Sequence, residues 1–149
     1  KMKMTDYKNR ITPDNITELK PNETLVVPTN EAGRHGAGLA KFAAQRFGLK
    51  YGHYSHVCGR CFALPTKDRN IKTLPLEKIG QYVDAFIGYA KRVHEKGWDF
   101  VFLVPQIGCG LANYTPEQIA PLFKDAIDLP NVHLPERFWQ VLTNETLKI

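Results

Sequence analysis

Leu25-Val26-Val27-Pro28-Thr29-Asn30-Glu31-Ala32-Gly33-Arg34-His35-Gly36-Ala37-Gly38 runs without a break from a short β-branched apolar run into a polar, glycine-rich loop. Immediately afterwards Leu39, Phe42, Ala43 and Phe47 recur at helical spacing, and Gly48 stands where a helix ends on a left-handed residue. This reads as strand, loop and helix, with the helix over residues 37–47. The same order returns twice. Cys61-Phe62-Ala63-Leu64-Pro65 leads into the polar Thr66-Lys67-Asp68-Arg69-Asn70, and Pro75 opens a helix striped by Ile79, Val83, Phe86, Ile87, Ala90 and Val93 and closed by Gly97. Phe100 to Pro105 is apolar on both faces, as a central strand covered on both sides must be. It leads into Gln106–Tyr114, after which Thr115, Pro116 and Gln118 supply an N-cap, a first-turn proline and a capping-box partner. The stripe of that third helix is Ile119, Leu122, Phe123 and Ala126, and a last strand is expected at Phe138–Thr143, beyond the proline-rich stretch Pro130–Pro135. Alternating strands and helices demand right-handed crossovers, so the expected fold class is three-layer α/β/α with a mixed, centrally parallel sheet. Loops beginning at Thr29, Thr66 and Gln106 each follow a strand and are expected to converge at the carboxyl edge of that sheet, where such folds bind ligands.

The 149 residues, 43% apolar and 11% aromatic, suffice for one well-filled core, and residues 1–149 are read as one domain with 1–14 free to form a flexible extension. Twenty Lys and Arg against fifteen Asp and Glu leave a net charge of +5, which favours an anionic partner without the dense basic runs of a nucleic-acid arm. Three cysteines argue against a disulfide scaffold and no charged-then-apolar leader opens the stretch, so a cytoplasmic setting is expected. No apolar run approaches the roughly 20 residues that cross a bilayer, so no membrane partner is expected.

Glycines ahead of a helix let backbone N–H groups approach an anion at the positive end of the helix dipole. Leu39-Ala40 follows Gly38 where a Walker A loop needs Lys and Ser or Thr, so nucleotide hydrolysis of that type is excluded. The order Gly33, Gly36, Gly38 also departs from the dinucleotide fingerprint. One such loop serves equally as a plain strand-to-helix turn. A second at Gly108-Cys109-Gly110 alters the balance, because two amide nests facing each other would grip a diphosphate from both sides.

Val27-Pro28-Thr29-Asn30-Glu31 with His35-Gly36-Ala37-Gly38-Leu39-Ala40, and Val104-Pro105-Gln106-Ile107-Gly108-Cys109-Gly110-Leu111-Ala112-Asn113-Tyr114, resemble the two ligand loops of macro domains. The likeness runs from about Ile16 onward, and its wording is most similar to small macro-like proteins of bacteria and their phages. It implies a macro-like domain binding ADP-ribose or a related nucleoside-diphosphate ribose, with Asn30 on the distal ribose. The loops carrying Thr29, Gly33, Arg34, Gly36, Ala37 and Gly38, and Gln106, Ile107, Gly108, Cys109, Gly110 and Leu111, would wrap the diphosphate. Tyr114 stands at the family's aromatic position. The usual Asn-Ala-Ala-Asn opening is absent, and Ile16-Thr17 follows Asn15, with Asp14 one place earlier, where macro domains place an adenine-reading aspartate.

A hydrolytic reading adds roles: Asn30 fixes the sugar hydroxyls, and His35 or Asp68 handles the proton of a water near the anomeric carbon. This would suit an ADP-ribosyl hydrolase or a phosphatase of ADP-ribose 1″-phosphate, acting without cofactor or dedicated metal, on free ligand or an ADP-ribosylated macromolecule. The alternatives are sequestration of an NAD-derived signalling nucleotide without turnover, and a basic nucleic-acid-binding domain, the less favoured partner. Lys67 would contact ligand or lie in a solvated turn. Cys109 would be a nucleophile or a small filler beneath the turn, and His53, His56, Cys58 and Cys61 have the ligand types for zinc.

Overall fold

An apolar run with no polar alternation must be covered on both faces, and Leu25, Val26 and Val27 are all fully buried. A computed structural model of the protein describes residues 4–147, with side chains from Tyr7 to Asn144. The strands are β1 (Ile11–Thr12), β2 (Glu23–Asn30), β3 (His56–Cys58), β4 (Cys61–Lys67), β5 (Val101–Leu103) and β6 (Val132–Pro135). They form one sheet in the order β1-β6-β5-β2-β4-β3. Every neighbouring pair is parallel except β3 with β4, a hairpin in which Cys58 faces Cys61. The helices are α1 (Gly38–Arg46), α2 (Leu76–Glu95), α3 (Pro116–Ile119) and α4 (Glu136–Leu147). The fold is a three-layer α/β/α sandwich around a mixed sheet with a parallel centre.

The two faces of β2 divide the core. Leu25 and Val27 pack with Cys61, Ala63 and Leu103 beneath Ala40 and Ala43 of α1. Val26 points the other way, with Phe62, Leu64, Phe102 and Val104, against Ile79, Val83, Phe86 and Ala90 of α2 and Phe138, Trp139 and Leu142 of α4. Among the described residues no helix is long and apolar enough to cross a membrane.

Four local expectations are corrected. The stretch Phe138–Thr143 is not a strand but the middle of α4: Phe138, Trp139, Val141 and Leu142 are buried with helical spacing, and that pattern is too short to separate from an apolar strand without its partners. The last strand is instead β6, inside the proline-rich stretch, where Pro135 occupies the final strand position. The third helix makes one α-turn, with the expected Thr115–Gln118 capping box, and continues as a 3₁₀ helix over Ala120–Ala126. Pro121 lacks the N–H that would continue the α ladder. Pro75 precedes α2 at its N-cap rather than lying within its first turn.

The N-terminal stretch expected as an extension forms a 3₁₀ helix, Met4–Arg10, and then β1. Tyr7 stacks on Trp139 with ring centroids 4.8 Å apart, and the Arg10 guanidinium lies 4.7 Å from the Trp139 ring centroid. Arg10 donates to the carbonyls of Ala126, Ile127, Leu129 and Val132 at 2.6–3.1 Å, tying the N-terminal segment to the end of the second 3₁₀ helix and the start of β6.

Candidate functional site

β2 lies at a topological switch point. Its chain leaves to α1 on one face, whereas the chain leaving β5 turns to α3 on the other, so a crevice opens between their carboxyl ends. A cleft of about 570 Å³ occupies that place, within the range typical of small-molecule sites. Three loops line it. The end of β2 and the turn into α1 bring Thr29, Asn30, Arg34, Gly36, Ala37 and Gly38; the end of β4 brings Thr66 and Lys67, and the loop after it Ile71; the loop after β5 brings Pro105, Gln106, Ile107, Gly108, Gly110, Leu111 and Ala112. The turns on either side of the crevice, distant in sequence, are walls of one cavity.

The first wall is braced by Asn30. The β2–β4 register shifts between Thr29 and Asn30, a bulge that re-aims the strand end. Asn30 Nδ2 donates to the Arg34 carbonyl at 2.8 Å, and the Arg34 N–H donates to Asn30 Oδ1 at 3.1 Å, so one side chain closes the turn from both ends. Gly33, at φ +69°, donates its N–H to the Asn30 carbonyl at 2.9 Å and accepts from the Gly52 N–H at 2.7 Å. Thr29 Oγ1 donates to the Tyr54 carbonyl at 2.6 Å. Glu31, next in the chain, is turned to the Tyr82 hydroxyl, which donates to its carboxylate. Burial and that carboxylate together hold the Tyr82 phenol well above its ordinary range.

The amides are the chemically distinctive feature. α1 starts at Ala37 without a side-chain cap, and the N–H groups of Gly36 through Ala40 donate to no described residue. Across the cleft, the N–H groups of Gly108, Gly110, Leu111 and Ala112 are likewise unpaired among the described residues. Unpaired donors at a helix N-terminus and in a glycine turn are the ready-made partners of an anion. Arg34 and Lys67 add two cationic side chains to the lining, which contains no carboxylate.

Other expected site residues lie outside the lining. His35 is buried behind the first wall, with Nε2 2.9 Å from the Lys50 carbonyl. A carbonyl only accepts, so the proton is assigned to Nε2, and Nδ1 has no partner. His35 thus latches the loop onto residues 50–52 rather than facing the cavity. Asp68 is occupied by its own turn, its carboxylate accepting from the Asn70 and Lys72 N–H groups at 2.8 and 3.0 Å. Gly33 serves the turn. Tyr114 donates its hydroxyl to the Leu74 carbonyl at 2.7 Å, and Cys109 lies beneath the second turn with Sγ 3.5 Å from the Ile107 carbonyl. Burial, with the Glu117 charge, pushes the Cys109 thiol up to about 11. A thiol so shifted is scarcely ionised near neutrality, so Cys109→Ser is expected to leave ligand affinity within about twofold by calorimetry. Cys58 and Cys61 are buried beneath α1 and the turn at Gly48, Cys61 raised to about 12 by burial. Among the described residues no group of three or more His, Cys, Asp or Glu side chains is placed to hold a metal ion.

Pro28, Leu39, Ala40, Pro105 and Ala112 of the lining fall inside the two loops likened to macro domains and Thr66 opens the polar stretch after Pro65, though none of them is expected from the sequence as a ligand contact; Tyr51 and Ile71 are not expected at all. Thr66 had a signal, since it opens a loop recognised as polar. Tyr51 and Ile71 had none, being lone apolar residues in polar loops. Asn15, Ile16 and Thr17, weighed for adenine recognition, line a separate depression with Glu23 and Leu103. Comparison with family models, curated proteins and solved structures returns no match to this chain.

Proposed function

We propose that the cleft binds ADP-ribose or a closely related nucleoside-diphosphate ribose, free or attached to a macromolecule. The observation that carries this reading is the pair of unpaired amide sets, Gly36–Ala40 on one side and Gly108, Gly110, Leu111 and Ala112 on the other, lining one cleft with Arg34 and Lys67 and no carboxylate. A diphosphate offers acceptors to both sets at once, and it is the anion for which two facing nests are better than one. The resemblance of both loops to those of macro domains points to the same ligand. Binding without turnover is favoured over hydrolysis, because His35 and Asp68, the residues with proton chemistry to offer, are committed to main-chain partners.

Calorimetry and thermal shift with ADP-ribose, AMP and NAD test the reading. ADP-ribose at 100 times its Kd is expected to stabilise the fold by about 2.7 kcal/mol, with AMP well behind. Removing one charge-assisted contact in Lys67→Met is expected to weaken affinity by about tenfold or more. Absence of any shift with millimolar ADP-ribose overturns the proposal. A basic nucleic-acid binder would instead lose roughly 10³–10⁵ in affinity for DNA or RNA between 50 and 200 mM salt. Asn30→Ala removes both ends of the turn brace and is expected to lower affinity about tenfold to a hundredfold. Chromatography of the incubated ligand should show it unchanged.

A further inference from the structure

Ile71 has φ +63°, a left-handed conformation that a β-branched residue adopts only when its surroundings impose it. The surroundings are explicit. The Asp68 carboxylate accepts from the Asn70 and Lys72 N–H groups, the Ile71 N–H donates to the Asp68 carbonyl at 3.1 Å, and the Asp68 N–H donates to the Lys72 carbonyl at 2.7 Å. Glycine or asparagine would sit in this turn without strain, yet the position holds an isoleucine whose side chain is 42% exposed and lines the cleft. Leu111, 70% exposed, lines it from the loop after β5. The two loops are laced together: Thr73 Oγ1 donates to the Ala112 carbonyl at 3.2 Å, and the Tyr114 hydroxyl donates to the Leu74 carbonyl at 2.7 Å. Tyr51, also 70% exposed, joins the lining from the segment that His35 latches. Three large apolar side chains left in water at one cleft, one of them in a strained turn, are a surface kept for contact.

We propose that Ile71 is a specificity-determining residue and that, with Leu111 and Tyr51, it forms an apolar jaw holding a ring of the ligand bound by the neighbouring amide sets. That ring is the base of a nucleoside diphosphate, and the jaw reads it by shape rather than by hydrogen bonding. The lining contains no carboxylate to accept from an exocyclic amino group, the Thr29 hydroxyl has given its proton to a carbonyl and the Asn30 amide is engaged with Arg34, so among the described residues Gln106, on the loop after β5, is its one uncommitted side-chain amide. Apolar faces accept any flat ring of suitable size and discriminate weakly among hydrogen-bonding patterns. Asp68 and Tyr114 are positioning residues that hold the two sides of the jaw. The inference rests on the nucleotide reading of the cleft.

The test pairs Ile71→Gly with two ligands, ADP-ribose and its hypoxanthine counterpart, using calorimetry and urea unfolding. Glycine relieves the φ while removing the side chain. The expected result is an unfolding midpoint equal to or above that of the parent together with affinity lowered by about fivefold to twentyfold. In the parent protein, adenine and hypoxanthine ligands should bind within about threefold of each other. An Ile71→Gly protein with unchanged affinity overturns the jaw, as does one with a lowered midpoint, since that assigns Ile71 to the fold. Strong preference for adenine overturns readout by shape. If neither ligand binds the parent, the nucleotide reading itself fails, and that outcome is distinct from the others.

Discussion

Gly33→Ala is expected to be among the most damaging single-methyl changes in the protein, lowering both stability and ligand affinity. A side chain on Gly33 would place Cβ 2.5 Å from the carbonyl carbon and oxygen of Gly52, and φ is +69°. The left-handed conformation alone costs an alanine roughly 1–2 kcal/mol. The collision is with main chain, which has no rotamer to escape into, so the 50–52 segment has to move away. That movement breaks the 2.7 Å Gly52–Gly33 hydrogen bond and loosens the His35–Lys50 latch. The combined loss is expected at about 3 kcal/mol in urea unfolding, with affinity for ADP-ribose down by more than tenfold. Gly36→Ala is the control: a Cβ there meets nothing within 4 Å, so its unfolding free energy should stay within about 0.5 kcal/mol of the parent's. Equal stability of the two variants would contradict the packing of the first wall on Gly52.

Trp139→Ala is expected to cost about 3–5 kcal/mol, enough to remove much of the stability of a domain of this size. Trp139 is fully buried, stacks on Tyr7, lies under the Arg10 guanidinium and donates Nε1–H to the Arg10 carbonyl at 2.8 Å. Its loss therefore detaches the N-terminal 3₁₀ helix as well as opening a cavity beneath α4. Trp139→Phe keeps a ring for Tyr7 and loses the hydrogen bond, and its cost should be nearer 1–2 kcal/mol. Guanidinium unfolding of the two variants checks the ordering. The cleft is on another part of the sheet, so at temperatures where Trp139→Phe is folded its affinity for ADP-ribose should equal that of the parent. A Trp139→Ala protein as stable as the parent would mean that the segment before β1 contributes nothing to the fold.

The strands and helices near the cleft were legible because their local signals agree. The apolar run Leu25–Val27 with a glycine loop behind it, the stripe from Ile79 to Val93 and the Thr115–Gln118 capping box each contain their own periodicity or cap, and each is found. Phe138–Thr143 lacked that agreement. Four apolar residues in six fit either period, and the choice of helix came from Tyr7 and Phe123, which are remote in sequence. β3 and β1 are edge strands of three and two residues, too short for any pattern to mark them.

By itself, the order of residues was enough to specify an α/β sandwich and to name most of the loop that follows β2, because backbone amides before a helix and glycines in a tight turn are local properties. Which side chains face the cavity was settled only by tertiary contacts. His35 and Gly33 were turned away by partners at Lys50 and Gly52, and Ile71 and Leu111 were brought into the lining by hydrogen bonds between two loops that lie far apart along the chain. A residue's type advertises the chemistry it could do. Whether its polar atoms remain free to do it depends on neighbours that the chain places beside it only on folding.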